Sequence, residues 1–515
     1  MPHPSSHPAK LSRRRFTQSA AATLASGLLW PLDSAQALAR RPAGPQRRVK
    51  NVLMLAVDDL RPELGCYGKR HIHSPRIDRF AASATRFDRA YCQFPQCGPS
   101  RCSLFAGVRP ETARQADGPV THIDRNAMYR ELATLPAHLT AQGYRTACFG
   151  KLYHHPADDT KSWTDPHPDD REALAPIWGY PGYGLASNVE HTARIRRERR
   201  AAGQQGYFNG PSVEAADLPD DAYYDGITTN RTVAMLRDMA SDAERPFFLA
   251  AGWYKPHLAF CAPKRYWDLY DRDAIEPATN NEHPGGAPGA AINPWAMNEL
   301  RGYSDIPDEG PLSEAKQREL IHGYYACVSF IDAQIGRVLD ALDSLGLADD
   351  TVVLLWGDHG FHLGENGHWT KNINWELSHH SPLLIRTPDL RDGQSTRGLT
   401  EFVDIYPTIV EACGLPQPAH ELEGQSLLPL MQRPDRAWKS AAFTLFANNL
   451  SMRTDCYRYT PYADRNGDPA GVELYDLDHD PGANVNVANQ PQYQSIRKQL
   501  AAQHAAGWRA ARAEL

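Results

Sequence analysis

The stretch Cys97-Gly98-Pro99-Ser100-Arg101 combines a cysteine, a turn and the beginning of a helix. Gly98 and Pro99 interrupt regular structure, and proline is tolerated in a first helical turn, where its missing N–H costs nothing. The pattern predicts that Cys97 lies at a helix N-terminus, where unpaired N–H groups favour an anion. Arg101, four residues on, shares a helix face with Cys97. Together these features indicate a site for a sulfate or phosphate group, whereas a lone cysteine beside a turn would be interpreted as structural.

Short apolar runs on both sides of this stretch have the length and composition of buried strands. Patterns with helical spacing lie between them, most clearly from Ser313 to Leu345. Strands that alternate with helices predict an α/β fold with a mostly parallel central sheet flanked by helices. The predicted strands are Asn51–Val57, Arg145–Phe149, Phe247–Gly252, Thr351–Trp356 and Leu383–Arg386, and the other predicted helices are Leu135–Gln142 and Ile227–Met239.

The chain changes character after about Asp389, where the predicted elements become shorter and favour antiparallel pairing. We therefore predict a catalytic domain at residues 48–388 and a smaller C-terminal α+β subdomain with an antiparallel sheet at residues 389–515. The predicted elements of the subdomain are a short helix from Phe402, strands at Ala442–Phe446, Tyr457–Thr460 and Leu474–Leu477, and a final helix at Pro491–Arg512.

The first 37 residues have the pattern of an export signal rather than of a folded element. The run Ser12-Arg13-Arg14-Arg15-Phe16 precedes a short apolar segment and the small-residue sequence Ala35-Gln36-Ala37. Paired arginines indicate twin-arginine export, so we expect the Tat translocase as a partner and a periplasmic or secreted bacterial protein. The apolar segment is too short to span a bilayer, which argues against stable membrane insertion.

The composition narrows the class of protein further. The 515 residues carry a formal net charge of −6, and one short basic cluster, Arg194–Arg200, is interpreted as a solvated face. Nucleic acid is therefore not expected as a partner. The nine cysteines are too sparse for a disulfide scaffold and include no CxxC pair. Two loop-rich segments, Tyr153–Pro219 and Pro263–Pro311, are long enough to be functional covers.

Two pairs of polar residues follow predicted strands about 300 residues apart in the sequence. Asp58-Asp59 comes after the strand Asn51–Val57, and Asp358-His359 comes after Thr351–Trp356. Ligands bind beyond the carboxyl ends of strands in parallel sheets, and hard cations favour several oxygen ligands. Either pair alone would be interpreted as a turn, but the two pairs in equivalent positions predict a metal site.

At this point the sequence resembles the sulfatase family of the alkaline-phosphatase-like superfamily. The family pattern Cys-x-Pro-Ser-Arg, followed by Leu-x-x-Gly, is matched by Cys97–Arg101 and Leu104–Gly107, although the family usually has threonine where Ala106 stands. Asp358-His359 matches the iduronate-2-sulfatase branch rather than the more common Asp-Asn. Further matching stretches are Val57–Pro62, Leu64–Gly68, Gly150–His154, Lys255–His257, Asn293–Trp295, Leu363–Glu365 and Trp369–Lys371.

The resemblance implies a complete catalytic constellation. A maturation enzyme would oxidise Cys97 to formylglycine, whose hydrate attacks the sulfate ester. Ca²⁺ would be held by Asp58, Asp59, Asp358, His359 and the modified Cys97, although the ligand types alone would also allow Mg²⁺. Arg101 would hold formylglycine, and Lys151, His154, His257 and Lys371 would surround the sulfate. The departing alcohol needs a proton, and the sequence leaves His257 and Lys371 both open as donors. Taken singly, His154, His257 and Lys371 would be interpreted as ordinary loop residues.

The expected function is hydrolysis of a sulfuric ester, and the expected substrate is a sulfated carbohydrate such as a 2-O-sulfated uronate. A phosphoester or phosphonate monoester hydrolase on the same fold is the alternative enzyme, because one fold hosts several chemistries. An unmatured protein that binds sulfated glycans without turnover is the non-enzyme alternative. The complete Cys97 motif argues against it, since a pure binder needs no nucleophile.

Overall fold

The computed structural model describes residues 50–113, 131–154, 158–165, 182–206, 208–242, 244–294 and 297–514. The predicted export signal at residues 1–37 and the motif residue Trp295 lie outside the described residues, so the export signal stays a prediction. No helix in the described part of the chain is long and apolar enough to cross a membrane. All nine cysteines lie within it, and each is a free thiol.

The described residues form a seven-stranded central sheet, a four-stranded antiparallel sheet and several short two-stranded pairs. The strands are β1 (Asn51–Val57), β2 (Thr85–Phe87), β3 (Ala90–Tyr91), β4 (Arg145–Gly150), β5 (Val213–Ala216), β6 (Phe247–Trp253), β7 (Phe260–Pro263), β8 (Thr351–Gly357), β9 (His362–Leu363), β10 (Trp369–Thr370), β11 (Leu383–Arg386), β12 (Gln394–Thr396), β13 (Thr400–Glu401), β14 (Ala442–Phe446), β15 (Asn449–Arg453), β16 (Tyr457–Ala463) and β17 (Pro469–Asp476).

Helices cover this framework. They are α1 (Pro75–Ala81), α2 (Cys97–Ala106), α3 (Leu135–Ala141), α4 (Ala186–Ala201), α5 (Tyr224–Ala240), α6 (Lys264–Trp267), α7 (Asn298–Arg301), α8 (Glu314–Ser344), α9 (Glu376–His379), α10 (Ile405–Ala412), α11 (Leu428–Gln432) and α12 (Gln494–Ala510).

The order of strands in the central sheet is β12-β2-β11-β8-β1-β6-β4. β1 lies between β8 and β6 and is parallel to both, and β4 continues the parallel arrangement beyond β6. β11 runs antiparallel to its neighbours β8 and β2. The prediction of a mostly parallel central sheet flanked by helices is confirmed, with β11 as an antiparallel member.

The alternating side chains of β1 explain why helices cover both faces of the sheet. Leu53, Leu55 and Val57 pack into a core that contains residues of α5 and α8, whereas Val52 and Met54 pack into a second core with residues of α2 and α10. A parallel strand that is buried on both faces needs apolar side chains at every position. This is why the strand was recognisable as a continuous apolar run.

The C-terminal sheet follows the order β14-β15-β16-β17 and is antiparallel throughout. Residues of α12 pack against one face of it, as expected for the predicted α+β subdomain. The boundary at residue 389 stays a prediction. β12 lies beyond that residue and pairs with β2 in the central sheet, so the two predicted parts share strands within one compact unit, Arg47–Leu515.

Asp332 of α8 is buried and accepts backbone hydrogen bonds from Arg76 and Ile77 in the first turn of α1, at 3.0 and 2.7 Å. Burial, against the opposing effect of these hydrogen bonds, raises the pKa of this carboxyl to about 7. The folded protein therefore retains a proton that the unfolded chain releases near pH 4.

We therefore expect the stability to fall by on the order of 3 kcal/mol as the pH rises from about 4 to about 7. Asp332→Asn keeps an oxygen acceptor without a charge, so it should remove this component of the pH dependence. Urea midpoints of wild type and variant at several pH values measure the effect. Asp343→Asn, at an exposed position of the same helix, is the control. An unchanged pH slope in Asp332→Asn would contradict the prediction.

Candidate functional site

The carboxyl ends of β1 and β8 bring the two predicted polar pairs together. The strands are parallel neighbours in which Val57 is opposite Gly357, so Asp58 and Asp358 leave the sheet side by side. The backbone N–H of Asp59 donates to Oδ1 of Asp358 at 3.0 Å. Asp59 has φ +58°, a left-handed conformation that aspartate tolerates better than most residues. The sharp turn after β1 therefore directs both aspartates toward one point.

Helix α2 begins at Cys97, as the sequence predicted, and brings its first turn to the same point. The Sγ atom of Cys97 lies 3.3 Å from Nε2 of His359. The hydroxyl of Ser100 donates to the backbone carbonyl of Asp358 at 2.5 Å, which fixes the helix against the end of β8. Cys97 is 2% exposed. The cysteine is thus inside the cluster rather than at the surface.

Burial of Cys97, followed in size by the charge of Asp58, raises the pKa of its thiol well above the ordinary value. A helix N-terminus alone would lower this pKa, so the surrounding desolvation outweighs the helix end. Thiolate is the reactive form of cysteine. The structure therefore does not support an unmodified Cys97 as the nucleophile.

Four potential metal ligands converge here: Asp58, Cys97, Asp358 and His359 each place a ligand atom within 4.8 Å of the others. A second such group joins Asp58, Asp59 and Cys97 with His257. Nδ1 of His359 faces the carbonyl of Gly360 at 2.9 Å and donates to it, so Nε2 is the ring nitrogen that is directed into the cluster. Carboxylates and one imidazole form a donor set that fits a divalent cation.

Arg101 neutralises part of the negative charge of this cluster. Its Nε donates to Oδ2 of Asp358 at 2.8 Å, and its Nη2 lies 3.5 Å from Oδ1 of Asp58. The remaining guanidinium nitrogen donates to the carbonyls of Lys151 and Leu152. All three charged side chains are fully buried. Arg101 therefore holds the two aspartates and the end of β4 in one network.

Two lysines also contact the aspartates. Nζ of Lys151 donates to Asp58, and Nζ of Lys371 donates to both carboxylate oxygens of Asp59 at 2.9 Å. Burial raises the pKa of Asp58, but Lys151, His257 and Arg101 outweigh it and hold that pKa well below its ordinary value. Asp59 similarly raises the pKa of Lys371 against the effect of burial. Both lysines are therefore buried ammonium groups beside the candidate metal site.

Glu299 of α7 is a member of the site that sequence reasoning missed. Its Oε1 lies 3.0 Å from Nζ of Lys371 and 3.0 Å from Nε2 of His257. Nδ1 of His257 faces the carbonyl of Leu258 at 2.7 Å, so both ring nitrogens face oxygen acceptors. No motif or periodicity marked Glu299, although it lies in the loop-rich segment Pro263–Pro311 that was expected to cover a site.

Nine of the ten residues predicted for the site are buried. Cys97, Arg101, Lys151, His257 and Lys371 are buried around the two strand ends. His154, four residues beyond the end of β4, is exposed, and its predicted role stays a prediction. Trp356, Trp369 and Trp375, which lie near the predicted site residues in the sequence, are buried.

Comparison with known proteins decides the family. The sequence profile described as Sulfatase matches residues 50–415, well over half of the chain. The chain belongs to the sulfatase family. A second profile, described as N-sulphoglucosamine sulphohydrolase, C-terminal, matches residues 364–507. Iduronate 2-sulfatase of Mus musculus is 30% identical to this sulfatase over 537 residues, covering 87% of this chain and 93% of the relative. A protein of Formosa agariphila described as a sulfatase is 31% identical over 465 residues, covering 86% and 84%.

These matches confirm the resemblance to the sulfatase family. The family hydrolyses sulfate esters, and this sulfatase shares that activity. Solved structures share its fold. The phosphonate monoester hydrolase of Agrobacterium radiobacter aligns with a TM-score of 0.69 at 21% identity, over 90% of this chain and 95% of that one. A protein in complex with D-glucosamine-2-N,6-O-disulfate aligns with a TM-score of 0.66 at 20% identity, over 90% and 98%.

Substitution of Arg101 tests how far the site depends on its charge network. Arg101→Lys keeps the charge but cannot reproduce the forked contacts to two carboxylates and two carbonyls. We expect this substitution to lower the free energy of unfolding by about 3 kcal/mol, because it leaves buried polar groups unpaired. Chemical denaturation measures it. Arg79→Lys, whose partner Asp340 is exposed, should cost less than about 1 kcal/mol. Equal effects in the two variants would contradict the network.

Proposed function

We propose that this sulfatase cleaves its ester with formylglycine derived from Cys97 and with a divalent cation held at the strand ends. The observation that carries the proposal is the position of Cys97. Its side chain is buried 3.3 Å from His359 and belongs to both groups of candidate metal ligands. An oxygenated product of Cys97 would therefore lie beside the cation, which is the arrangement that metal-assisted attack on a sulfate ester requires.

Asp58, Asp59, Asp358, His359 and the modified Cys97 would hold the cation. When bound, the cation supplies positive charge that offsets the charge of the ester and favours an ionised oxygen on the modified Cys97. The oxygen-rich donor set suits Ca²⁺ or Mg²⁺. The resemblance to the family favours Ca²⁺, although an imidazole ligand is less usual for either ion.

The remaining side chains have separate tasks in the proposed reaction. Arg101 keeps Asp58 and Asp358 in place and orients the modified residue. Lys151, Lys371, His257 and His154 would bind the ester oxygens, where positive donors stabilise charge that develops in the transition state.

The leaving alcohol needs a proton, and His257 or Lys371 would donate it. Both contact the carboxylate of Glu299. Nδ1 of His257 also faces the carbonyl of Leu258, and Nζ of Lys371 also donates to Asp59. Each group therefore has a second acceptor, and both stay open as the proton donor.

We infer that the substrate is a sulfated carbohydrate, with a 2-O-sulfated uronate as the specific candidate. Two findings support this inference. The iduronate 2-sulfatases of Mus musculus and Homo sapiens are 30% identical to this chain over most of its length. A protein of the same fold binds D-glucosamine-2-N,6-O-disulfate. Glycosaminoglycan degradation is the process in which such a substrate would be consumed.

The cellular setting is also proposed. We propose that residues 1–37 direct export by the Tat translocase to the periplasm or beyond, and that residues 48–388 and 389–515 form the catalytic part and the C-terminal subdomain. A formylglycine-generating enzyme would be the maturation partner. It must act before folding, because Cys97 is 2% exposed in the folded protein and no enzyme could reach it there.

Mass spectrometry and a paired assay test the central proposal. The Cys97 peptide of protein from the native host should carry an aldehyde in place of the thiol. Cys97→Ala should lower kcat/KM for a sulfate ester by roughly three orders of magnitude or more, while Cys102→Ala, at a buried neighbour in the same helix, should retain it. A panel of sulfated disaccharides, read for sulfate release, identifies the substrate.

Each alternative predicts a different result in these assays. Faster cleavage of the phosphate or phosphonate ester of the same alcohol than of its sulfate ester would support the alternative hydrolases. An unmodified thiol, together with glycan binding and no turnover, would support the unmatured binder.

Cation binding can be measured without turnover. Ca²⁺ at about 100 times its dissociation constant should stabilise the protein by about 2.7 kcal/mol, seen as a rise in melting temperature that a chelator reverses. Asp358→Asn and His359→Ala should abolish the rise at that concentration. Glu299→Gln should retain it, because Glu299 belongs to neither group of candidate ligands. A larger rise with Mg²⁺ would correct the identity of the ion.

A further inference from the structure

Glu299 places a negative charge in a pocket that is proposed to receive an anion. Its carboxylate contacts the two groups, Lys371 and His257, that would bind the ester oxygens. Lys371 is already paired with Asp59 on its other side at 2.9 Å. The side chain of Glu299 is about 20% exposed, so it is enclosed enough for its charge to act on a bound ligand with little screening.

Glu299 is ionised in this environment. Burial raises the pKa of its carboxyl, but Lys371 and His257 outweigh burial and hold that pKa well below its ordinary value. Glu299 therefore adds a second negative charge, besides that of Asp59, to this side of the pocket. Without Glu299 the same group would carry one additional positive charge.

Possible ester substrates differ in the number of negative charges that they bring into this pocket. A sulfate monoester carries one negative charge, and so does a phosphonate monoester. A phosphate monoester carries about two at neutral pH, because its second ionisation lies near pH 6. The three otherwise have similar tetrahedral shapes. A residue that removes one positive charge from the pocket therefore discriminates by charge rather than by size.

We propose that Glu299 is a specificity-determining residue that disfavours dianionic esters relative to monoanionic ones and so favours sulfate over phosphate monoesters. The proposal rests on the proposed function, since it takes the pocket beside Lys371 and His257 as the place where the ester oxygens bind. It does not separate sulfate from phosphonate monoesters, whose charges are equal. Glu299 acts through its charge on the substrate and need not transfer a proton.

Steady-state kinetics on esters of one phenol test this proposal. We expect Glu299→Gln to raise the ratio of kcat/KM for the phosphate monoester to that for the sulfate monoester by about tenfold at pH 8. The gain should disappear near pH 5, where the phosphate monoester is largely a monoanion. The ratio of the phosphonate to the sulfate monoester should stay unchanged at both pH values, since neither compound changes its charge.

The charged groups around Glu299 must be considered in the pH comparison. Lys371 and His257 contact Glu299 directly, and Asp59 contacts Lys371. Burial and the charge of Glu299 raise the pKa of Tyr303. A change in any of these groups acts on all three esters and most strongly on the phosphate dianion. The comparison of wild type with Glu299→Gln at one pH, and with Glu299→Asp, which keeps the charge, therefore separates the effect of Glu299 from the titration of its neighbours.

A binding measurement provides a readout that does not depend on turnover. In the Cys97→Ala background, calorimetry with phenyl phosphate and phenyl sulfate should show that Glu299→Gln raises the affinity for phenyl phosphate about tenfold more than the affinity for phenyl sulfate. Glu299→Asp, which keeps the charge, should leave the ratio of the two affinities near that of the parent. The melting temperature of each variant confirms that it is folded.

The outcomes separate this inference from the proposed function. If the wild-type protein cleaves sulfate esters but Glu299→Gln leaves the phosphate-to-sulfate ratio unchanged, the role of Glu299 is wrong and the proposed function stands. A rise of equal size for phosphate and phosphonate esters would also overturn the charge argument. Failure of the matured wild type to cleave any sulfate ester would overturn the proposed function itself.

Discussion

The site depends on the electrostatic constraint that three buried carboxylates impose where β1 and β8 end. Asp58, Asp59 and Asp358 would repel one another strongly in a water-poor interior. Arg101 and the two buried lysines compensate this charge, and each comes from a different part of the chain. The site is therefore formed only when the central sheet, α2 and the loop after β10 are all in place. A structural requirement for balanced charge thus also positions the donors that an anionic ester needs.

The N-terminus of α2 shows how local structure and burial act together on one side chain. Its helix end and Arg101 by themselves would activate the Cys97 thiol, but enclosure by the sheet and by Asp58 has the larger effect. The same enclosure separates the cysteine from any large partner after folding. In the proposed chemistry, the fraction of active molecules depends on the rate of Cys97 oxidation relative to the rate of folding. Exposure of the folded protein to the maturation enzyme cannot change that fraction.

Much of this arrangement could be predicted from the sequence because its signals are local. The continuous apolar run of β1 and the turn before α2 each identify an element within a few residues. The apolar run of β11 has the same sequence pattern as the parallel strands, because both of its faces are also buried. Such a run does not indicate the direction of the strand. Glu299 could not be predicted, since its importance arises from contacts with His257 and Lys371 across long stretches of chain. His154 belongs to a matching motif, yet the motif did not indicate that its side chain is exposed.

The carboxylate of Glu299 also bears on the end of the catalytic cycle. Hydrolysis converts a sulfate ester with one negative charge into free sulfate, which carries two. The ion that leaves is therefore more strongly attracted by lysines and a cation than the ester that entered, and a pocket of maximal positive charge would retain its product. A fixed negative charge 3.0 Å from Lys371 weakens that retention more than it weakens substrate binding. The same contact that lowers the affinity for dianions thereby promotes the release of sulfate and the return of the enzyme to its free state.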